Sequence, residues 1–188
     1  MADDKRDRYL AHIVNETDQM NALIMDMPEL SKFEVKAIQL TLKNVSMTNL
    51  IKHVVSSLSH QLENKNLHYK INKEEKIFIN VDARRIEQVV LNLLSNAIRH
   101  AEENSVVTIS IERTSTKKVV IIFENTGPAI AEDDLSRLWD QFYRVEHSWD
   151  RKSGGTGLGL AIVKHILELH DSEFGVEVPT KALHFLLP

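Results

Sequence analysis

Cysteine is absent from all 188 residues, which excludes a disulfide framework and a thiolate metal site and fits a reducing compartment. Long apolar runs are also missing. Stretches such as Val89-Val90-Leu91 fall far short of the roughly 20 residues that a spanning helix needs, and the charged start MADDKRDRY is unlike a signal peptide. Positive charge is not in excess: 23 Lys+Arg against 27 Asp+Glu leave a net charge of −4. That balance argues against nucleic-acid or membrane-surface binding and leaves room only for a local basic patch. Glycine is scarce but concentrated, with four of six residues between Gly154 and Gly159. The length suits one ordinary domain with an appendage and a core of its own.

Periodicity divides the chain near Glu34 to Ala37. Before it, Leu10, Ile13, Thr17, Met20, Ile24 and Met27 recur at alternating steps of three and four, the narrow seam of a helix that packs on another helix. Pro28 ends or kinks that helix, and Leu30 to Val35 continue it briefly. Beyond the boundary, Ile38, Leu40 and Leu42 alternate as in a half-buried strand, and Met47 to Leu62 return to helical spacing. Two short strand-like runs, Leu67 to Ile71 and Ile77 to Val81, precede a strong helix from Ala83 to Ala101 with Asp82 as its cap. Val106 to Ile111 and Val119 to Phe123 read as paired central strands joined near Thr116 and Lys117. Phe174 to Val178 and Leu183 to Leu187 read as closing strands. The order predicts an α+β fold: a two-layer sandwich of a mixed sheet with helices on one face, preceded by an N-terminal helix, with domains at 1–36 and 37–188.

Four segments carry chemistry. Gly154-Gly155-Thr156-Gly157-Leu158-Gly159-Leu160 runs into an apolar-periodic helix, and a glycine loop opening a helix is phosphate-binding architecture as well as a common flexible turn. Asn92 and Asn96 lie four residues apart on one helix face with Arg99 three further on. Amide oxygens suit Mg²⁺ beside phosphates and Arg99 suits phosphate charge, while two Asn on a helix equally read as solvent-facing or cap-like residues. Phe123-Glu124-Asn125-Thr126-Gly127-Pro128 ends a buried strand with a short amide and a glycine, either a place to meet a flat base or an ordinary strand exit. Leu138-Trp139-Asp140-Gln141-Phe142-Tyr143-Arg144 reads mainly as a hydrophobic plug followed by a basic residue.

In this order and spacing, the segments resemble the catalytic ATP-binding domain of bacterial sensor histidine kinases, within the group shared with gyrase, Hsp90 and MutL. Glu87 to His100 is similar to that family's asparagine box, Asn125 to Ala129 to its first glycine box, Trp139 to Arg144 to its phenylalanine box, and Gly155 to Leu160 to its second glycine box. The resemblance covers Ile38 to Pro188, and Tyr9 to Ser31 resembles the second helix of the family's dimerisation and phosphotransfer hairpin. Asn125-Thr126-Gly127 stands where the family usually has Asp-x-Gly and Ala129 where it has a second glycine, a variant similar to that of vancomycin-resistance sensor kinases.

The resemblance implies ATP and Mg²⁺ as cofactors. Asn96 is the implied metal ligand, supported by Asn92, and these two are the implied catalytic pair. Arg99 and Arg144 are implied phosphate contacts, Asn125 the adenine reader and His100 a neighbour of base or ribose. Gly127, Gly155, Thr156, Gly157, Leu158, Gly159 and Leu160 are implied in nucleotide binding, with Val145 to Thr156 as a lid. Implied partners are the parent kinase's phosphoacceptor hairpin, a response regulator and a second copy of the parent, with neither nucleic acid nor membrane contact by this segment. None of the nine histidines has the flanking residues of the family's phosphoacceptor. The expectation is a cytoplasmic kinase fragment, excised from a membrane sensor and dependent on a histidine elsewhere. Asn92 cannot take a proton as a Glu general base would, which favours transfer to histidine over ATP hydrolysis or an anti-sigma type serine kinase. An inactive nucleotide-binding interaction module is the other open alternative.

Overall fold

The structure is a computed structural model that describes residues 6, 9, 10, 13, 14, 17, 20, 21, 24, 39–73, 77–116, 118–128, 130–145, 155–177 and 182–188. The described residues between 6 and 24 are helical, as the seam predicts, and all are exposed. Leu10, Ile13, Met20 and Ile24 keep 53–63% of their surface in solvent. Met27, Pro28 and the boundary at 34–37 lie outside the described residues.

From residue 42 the chain forms β1 (Leu42–Ser46), α1 (Met47–Ser57), α2 (Ser59–Asn64), β2 (His68–Lys73), β3 (Phe78–Asp82) and α3 (Ala83–His100). Then come β4 (Val106–Arg113), β5 (Val119–Glu124), α4 (Glu132–Leu135), α5 (Gly159–Leu169), β6 (Glu173–Glu177) and β7 (Ala182–Leu187). A five-stranded sheet of order β2-β4-β5-β7-β6 is parallel only between β2 and β4. It is therefore mixed, and β4 and β5 pair antiparallel beside its centre, as the alternation predicts. The core beneath the helices draws on Val107, Ile109 and Ile111 of β4, Ile121 and Phe123 of β5, and Phe185 and Leu187 of β7. Phe123 and Phe185 stack at 6.4 Å between ring centroids.

Against this sheet α3 buries Ile86, Val89, Val90, Leu93, Leu94, Ala97 and Ile98, a stripe at steps of three and four that faces one way. Helix α5 buries Ala161, Ile162, Val163, Ile166 and Leu167. Each large apolar side chain removed from water contributes about 1.5–3 kcal/mol, so this stripe fixes the rotation of α3 about its axis.

Two boundaries depart from the periodicity. The stretch from Met47 to Leu62 is two helices, broken at Leu58, whose backbone (φ −101, ψ 8) is not helical. Leu58 and Leu62 are nevertheless both buried, so the apolar spacing survives the break. The early strand begins at Leu42 and extends to Ser46, and it pairs with β3 in a separate two-stranded sheet. Its start is set by Asp82, whose carboxylate accepts the Thr41 N–H at 2.9 Å.

Asp82 also caps α3 by accepting the Arg85 N–H at 3.2 Å. Its own N–H donates to Nε2 of the buried His170 at 3.1 Å, and the other ring nitrogen lies 2.8 Å from the Ile166 carbonyl. These partners define the tautomer that carries its proton on Nδ1 and tie the end of α5 to the start of α3. Burial opposes ionisation of Asp82, but main-chain N–H groups of Thr41, Arg85 and Arg84 outweigh it and hold the carboxyl below its ordinary range. A folded-state pKa below the unfolded one contributes stability above about pH 4, which is lost as pH falls through the folded value. Asp82→Ala is therefore expected to lose about 1 kcal/mol of stability at neutral pH. In urea unfolding followed across pH, the gap to the unmodified chain should narrow below about pH 4. A gap that stays constant into acid would contradict the ionised cap.

Candidate functional site

One margin of the α3 stripe is polar. Asn92 and Asn96 sit there half-buried, and Arg99 and His100 follow in the last turn, so the predicted face exists. Within the described residues, neither Asn side chain is hydrogen-bonded. Helix α5 begins beside them. A Cβ added to Gly159 would lie 3.5 Å from Asn92 Oδ1, ordinary contact distance. The N-terminus of this 11-residue helix has no side-chain cap, leaving first-turn N–H groups and the positive end of the dipole directed out of the helix.

The loop before α5 needs its glycines for different reasons. Gly155 lies on the Arg99 guanidinium, where an added Cβ would come within 2.5 Å of Nη1. Gly157 has φ +71, its carbonyl accepts the Phe142 N–H at 3.0 Å, and an added Cβ would stand 2.8 Å from the Phe142 carbonyl carbon. Thr156 Oγ1 accepts the Leu158 N–H at 3.2 Å. The Leu158 side chain is wholly buried, leaving only its main-chain atoms for a ligand, and the partly buried Leu160 packs against the core. Residues 146–154, Gly154 among them, lie outside the described residues.

Asn125 and Gly127 reach the same helix from β5. A Cβ on Gly127 would be 2.2 Å from the His100 carbonyl oxygen, and the Glu102 N–H donates to the Thr126 carbonyl at 2.8 Å. The end of α3 therefore lies against the exit of β5. Asn125 is half-buried, and its amide donates to the Thr126 carbonyl at 3.3 Å. Ala129 falls outside the described residues.

Electrostatics marks the loop end of this face. Arg99 is exposed as a residue, yet its guanidinium is covered by the Gly155 loop; desolvation first, then the charge of Arg144, lowers its pKa. Arginine remains cationic at neutral pH regardless. The Arg99 guanidinium, under the added positive charge of Arg144 and beside a glycine loop and a helix N-terminus, has the chemistry that suits an anion. No cluster of three His, Asp or Glu able to hold a metal exists among the described residues. The available protein ligand chemistry is neutral amide oxygen, which fits a hard cation that takes its remaining ligands from phosphate and water.

The plug reading holds only in part. Trp139 packs edge-on to Phe174 at 4.7 Å, whereas Phe142 is 57% exposed with φ 63. Tyr143 turns back instead: its hydroxyl donates to Asp134, and Arg137 covers its ring at 4.3 Å. Lys65 joins the site from a distant turn, its ammonium donating to the carbonyls of Ile98, Arg99 and Ala101 at the end of α3. No motif marks it; a lysine in a polar turn looks like any solvated charge.

Residues 81–188 match the histidine kinase-, DNA gyrase B- and HSP90-like ATPase family, and the chain belongs to that family. Its curated relatives include the sensor histidine kinase WalK of Bacillus subtilis, 29% identical over 96% of this chain and 30% of that protein. The sensor protein VanSC of Enterococcus gallinarum is 27% identical over 96% of this chain and 49% of that protein. The chain thus spans half or less of these relatives. In fold it is similar to full-length ShkA in complex with AMPPNP (TM-score 0.80, 23% identity, 98% of this chain and 39% of that one). It is likewise similar to the histidine kinase ThkA in complex with the response regulator TrrA (TM-score 0.75, 24% identity, 96% of this chain and 49% of that one).

The glycine geometry yields a paired prediction. Gly157→Ala meets main chain from a left-handed conformation and is expected to destabilise by at least about 1–2 kcal/mol. Gly159→Ala meets only ordinary contact and should leave stability unchanged or raise it by up to about 1 kcal/mol. Urea unfolding of both variants checks the contrast, and equal losses would contradict it.

Proposed function

We propose that this chain binds Mg-ATP along the polar margin of α3 and, in its parent protein, donates the γ-phosphoryl group to a histidine on a helical hairpin for relay to a response regulator. The carrying observation is the Arg99 guanidinium lodged on Gly155, beside two Asn amides that make no side-chain hydrogen bond among the described residues and the uncapped N-terminus of α5, with the charge of Arg144 lowering the Arg99 pKa. An added polyphosphate would neutralise that charge and use the N–H groups of the helix start.

ATP supplies the transferable phosphoryl group, and Mg²⁺ supplies charge neutralisation at its phosphates. Within the protein, Asn96 offers an amide oxygen to the metal and Asn92 supports it from the turn before. Arg99 and Arg144 hold phosphate oxygens, as do the main-chain N–H groups from Gly155 to Leu160. Asn125 turns its amide oxygen to the adenine amino group, with Gly127 leaving room and His100 flanking base or ribose. Phosphoryl transfer needs positioning and charge stabilisation more than covalent help from the protein. A neutral imidazole acceptor is already nucleophilic, so an amide at position 92 is compatible with transfer to histidine but not with proton abstraction from water or serine.

The exposed seam of Leu10, Ile13, Met20 and Ile24 supports reading residues 1–36 as part of a dimerisation hairpin, completed in the parent protein by a second helix and a second copy. A parent that spans a membrane belongs to the same reading; no helix among the described residues is long and apolar enough to do so.

With labelled Mg-ATP alone, the chain is expected to gain no acid-labile phosphohistidine. With the parent's hairpin in trans it should label that hairpin slowly, because tethering no longer supplies a high local concentration. In the same assay Asn96→Ala should abolish transfer and weaken Mg-ATP binding more than metal-free ATP binding. Stoichiometric self-labelling contradicts the assignment of an external acceptor. ATP binding without transfer in trans would instead identify an inactive nucleotide-binding module.

A further inference from the structure

The last four carbonyls of a helix lack partners within it. At the end of α3 the Ala97 carbonyl accepts the Ala101 N–H, and the carbonyls beyond it depend on groups from elsewhere. Lys65 meets them with one ammonium, at 3.1 Å from Ile98 O, 2.6 Å from Arg99 O and 3.2 Å from Ala101 O. An ammonium has three N–H donors, and here all three serve a single turn. The intervening His100 carbonyl is the one that lies against Gly127. Lysine on one side and glycine on the other thus fix the main chain that carries Arg99 and His100.

Lys65 is itself held in place. Its carbonyl accepts the Asn104 N–H at 3.3 Å, and His68 donates to Ser105 at 2.9 Å, so the turn after α2 is sewn to the turn after α3. Asn66 and Asn104, at φ 52 and φ 60, supply the left-handed bends of the two turns. Lys65 as a residue is half-buried. Desolvation and the charge of Arg99 both disfavour its protonated form, and only Glu103 favours it. A cation is favourable at a helix C-terminus, but this one stands beside a second cation that it repels.

Resting on the Mg-ATP reading above, we propose that Lys65 is a positioning residue of the phosphate site, fixing the main chain of Arg99 and thereby its guanidinium without touching the nucleotide. The test is a double-mutant cycle on the 188-residue chain, with Mg-ATP affinity measured for the unmodified protein, Lys65→Met, Arg99→Met and the double variant. Lys65→Met is expected to weaken binding about tenfold, equivalent to about 1.4 kcal/mol. In the Arg99→Met background the same change should alter affinity less than about twofold, since its effect acts through Arg99. An equal loss in both backgrounds makes Lys65 a general structural cap and overturns the proposal, as does no loss in the first. If thermal unfolding shows that Lys65→Met does not fold, Lys65→Gln, which keeps uncharged donors, takes its place under the same criteria. Failure of the unmodified chain to bind Mg-ATP is a separate result and overturns the functional reading itself.

Discussion

Helix α3 cannot rotate about its axis without carrying Ile86, Val90, Leu93, Leu94 and Ala97 out of the core. Every proposed contact to the nucleotide is referred to that constraint. Because the apolar stripe fixes one face, the neighbouring stripe of Asn92, Asn96 and Arg99 has a defined direction before any ligand arrives. Contacts at the two ends prevent sliding and fraying. Asp82, joined to Thr41 and His170, holds the first turn, while Lys65 and Gly127 hold the last. A site built on a packed helix is more precise than one built on a loop. The glycine loop, by contrast, reaches its place through Gly155 on Arg99 and Gly157 on Phe142, contacts to groups that α3 and the aromatic segment already position.

Asn125, where the resemblance implies an Asp, leaves this scaffold intact. Asn125 sits at the exit of β5, and its half-buried amide accounts for one donor by bonding to Thr126. Its oxygen can accept from an amino group but lacks the charge-assisted bond that a carboxylate would make. On the proposed reading, the phosphate end carries a larger share of the affinity. That distribution matches the placement of charge, with Arg99 and Arg144 close enough to perturb one another and Lys65 behind them.

Much of the architecture was legible in local pattern. The 3–4 spacing through α3, the alternation of β4 and the apolar run of β5 record which faces are buried, and the glycine cluster marks the loop that must lie close to other groups. What escaped reading depends on partners distant in sequence. Lys65 bonds residues 33 to 36 positions away, and Asp82 meets His170 across 88. Neither spacing leaves a periodic trace. The break at Leu58 was hidden because the buried positions keep helical spacing across it. The separate β1–β3 sheet was hidden because strand pairing, unlike strand formation, is not written in alternation. The chemistry of Phe142 suits a hydrophobic plug, but its backbone is left-handed and its side chain faces solvent.

On the proposed reading, α3 and the two glycine segments form a polyphosphate site with a base-reading end. Affinity for adenosine, ADP and ATP in the presence of Mg²⁺, each measured over a range of salt concentrations, tests it most directly. The account predicts affinity that rises with each added phosphate and falls with salt most steeply for ATP, because the binding charges are Arg99 and Arg144. Equal, salt-independent affinity for adenosine and ATP would contradict it.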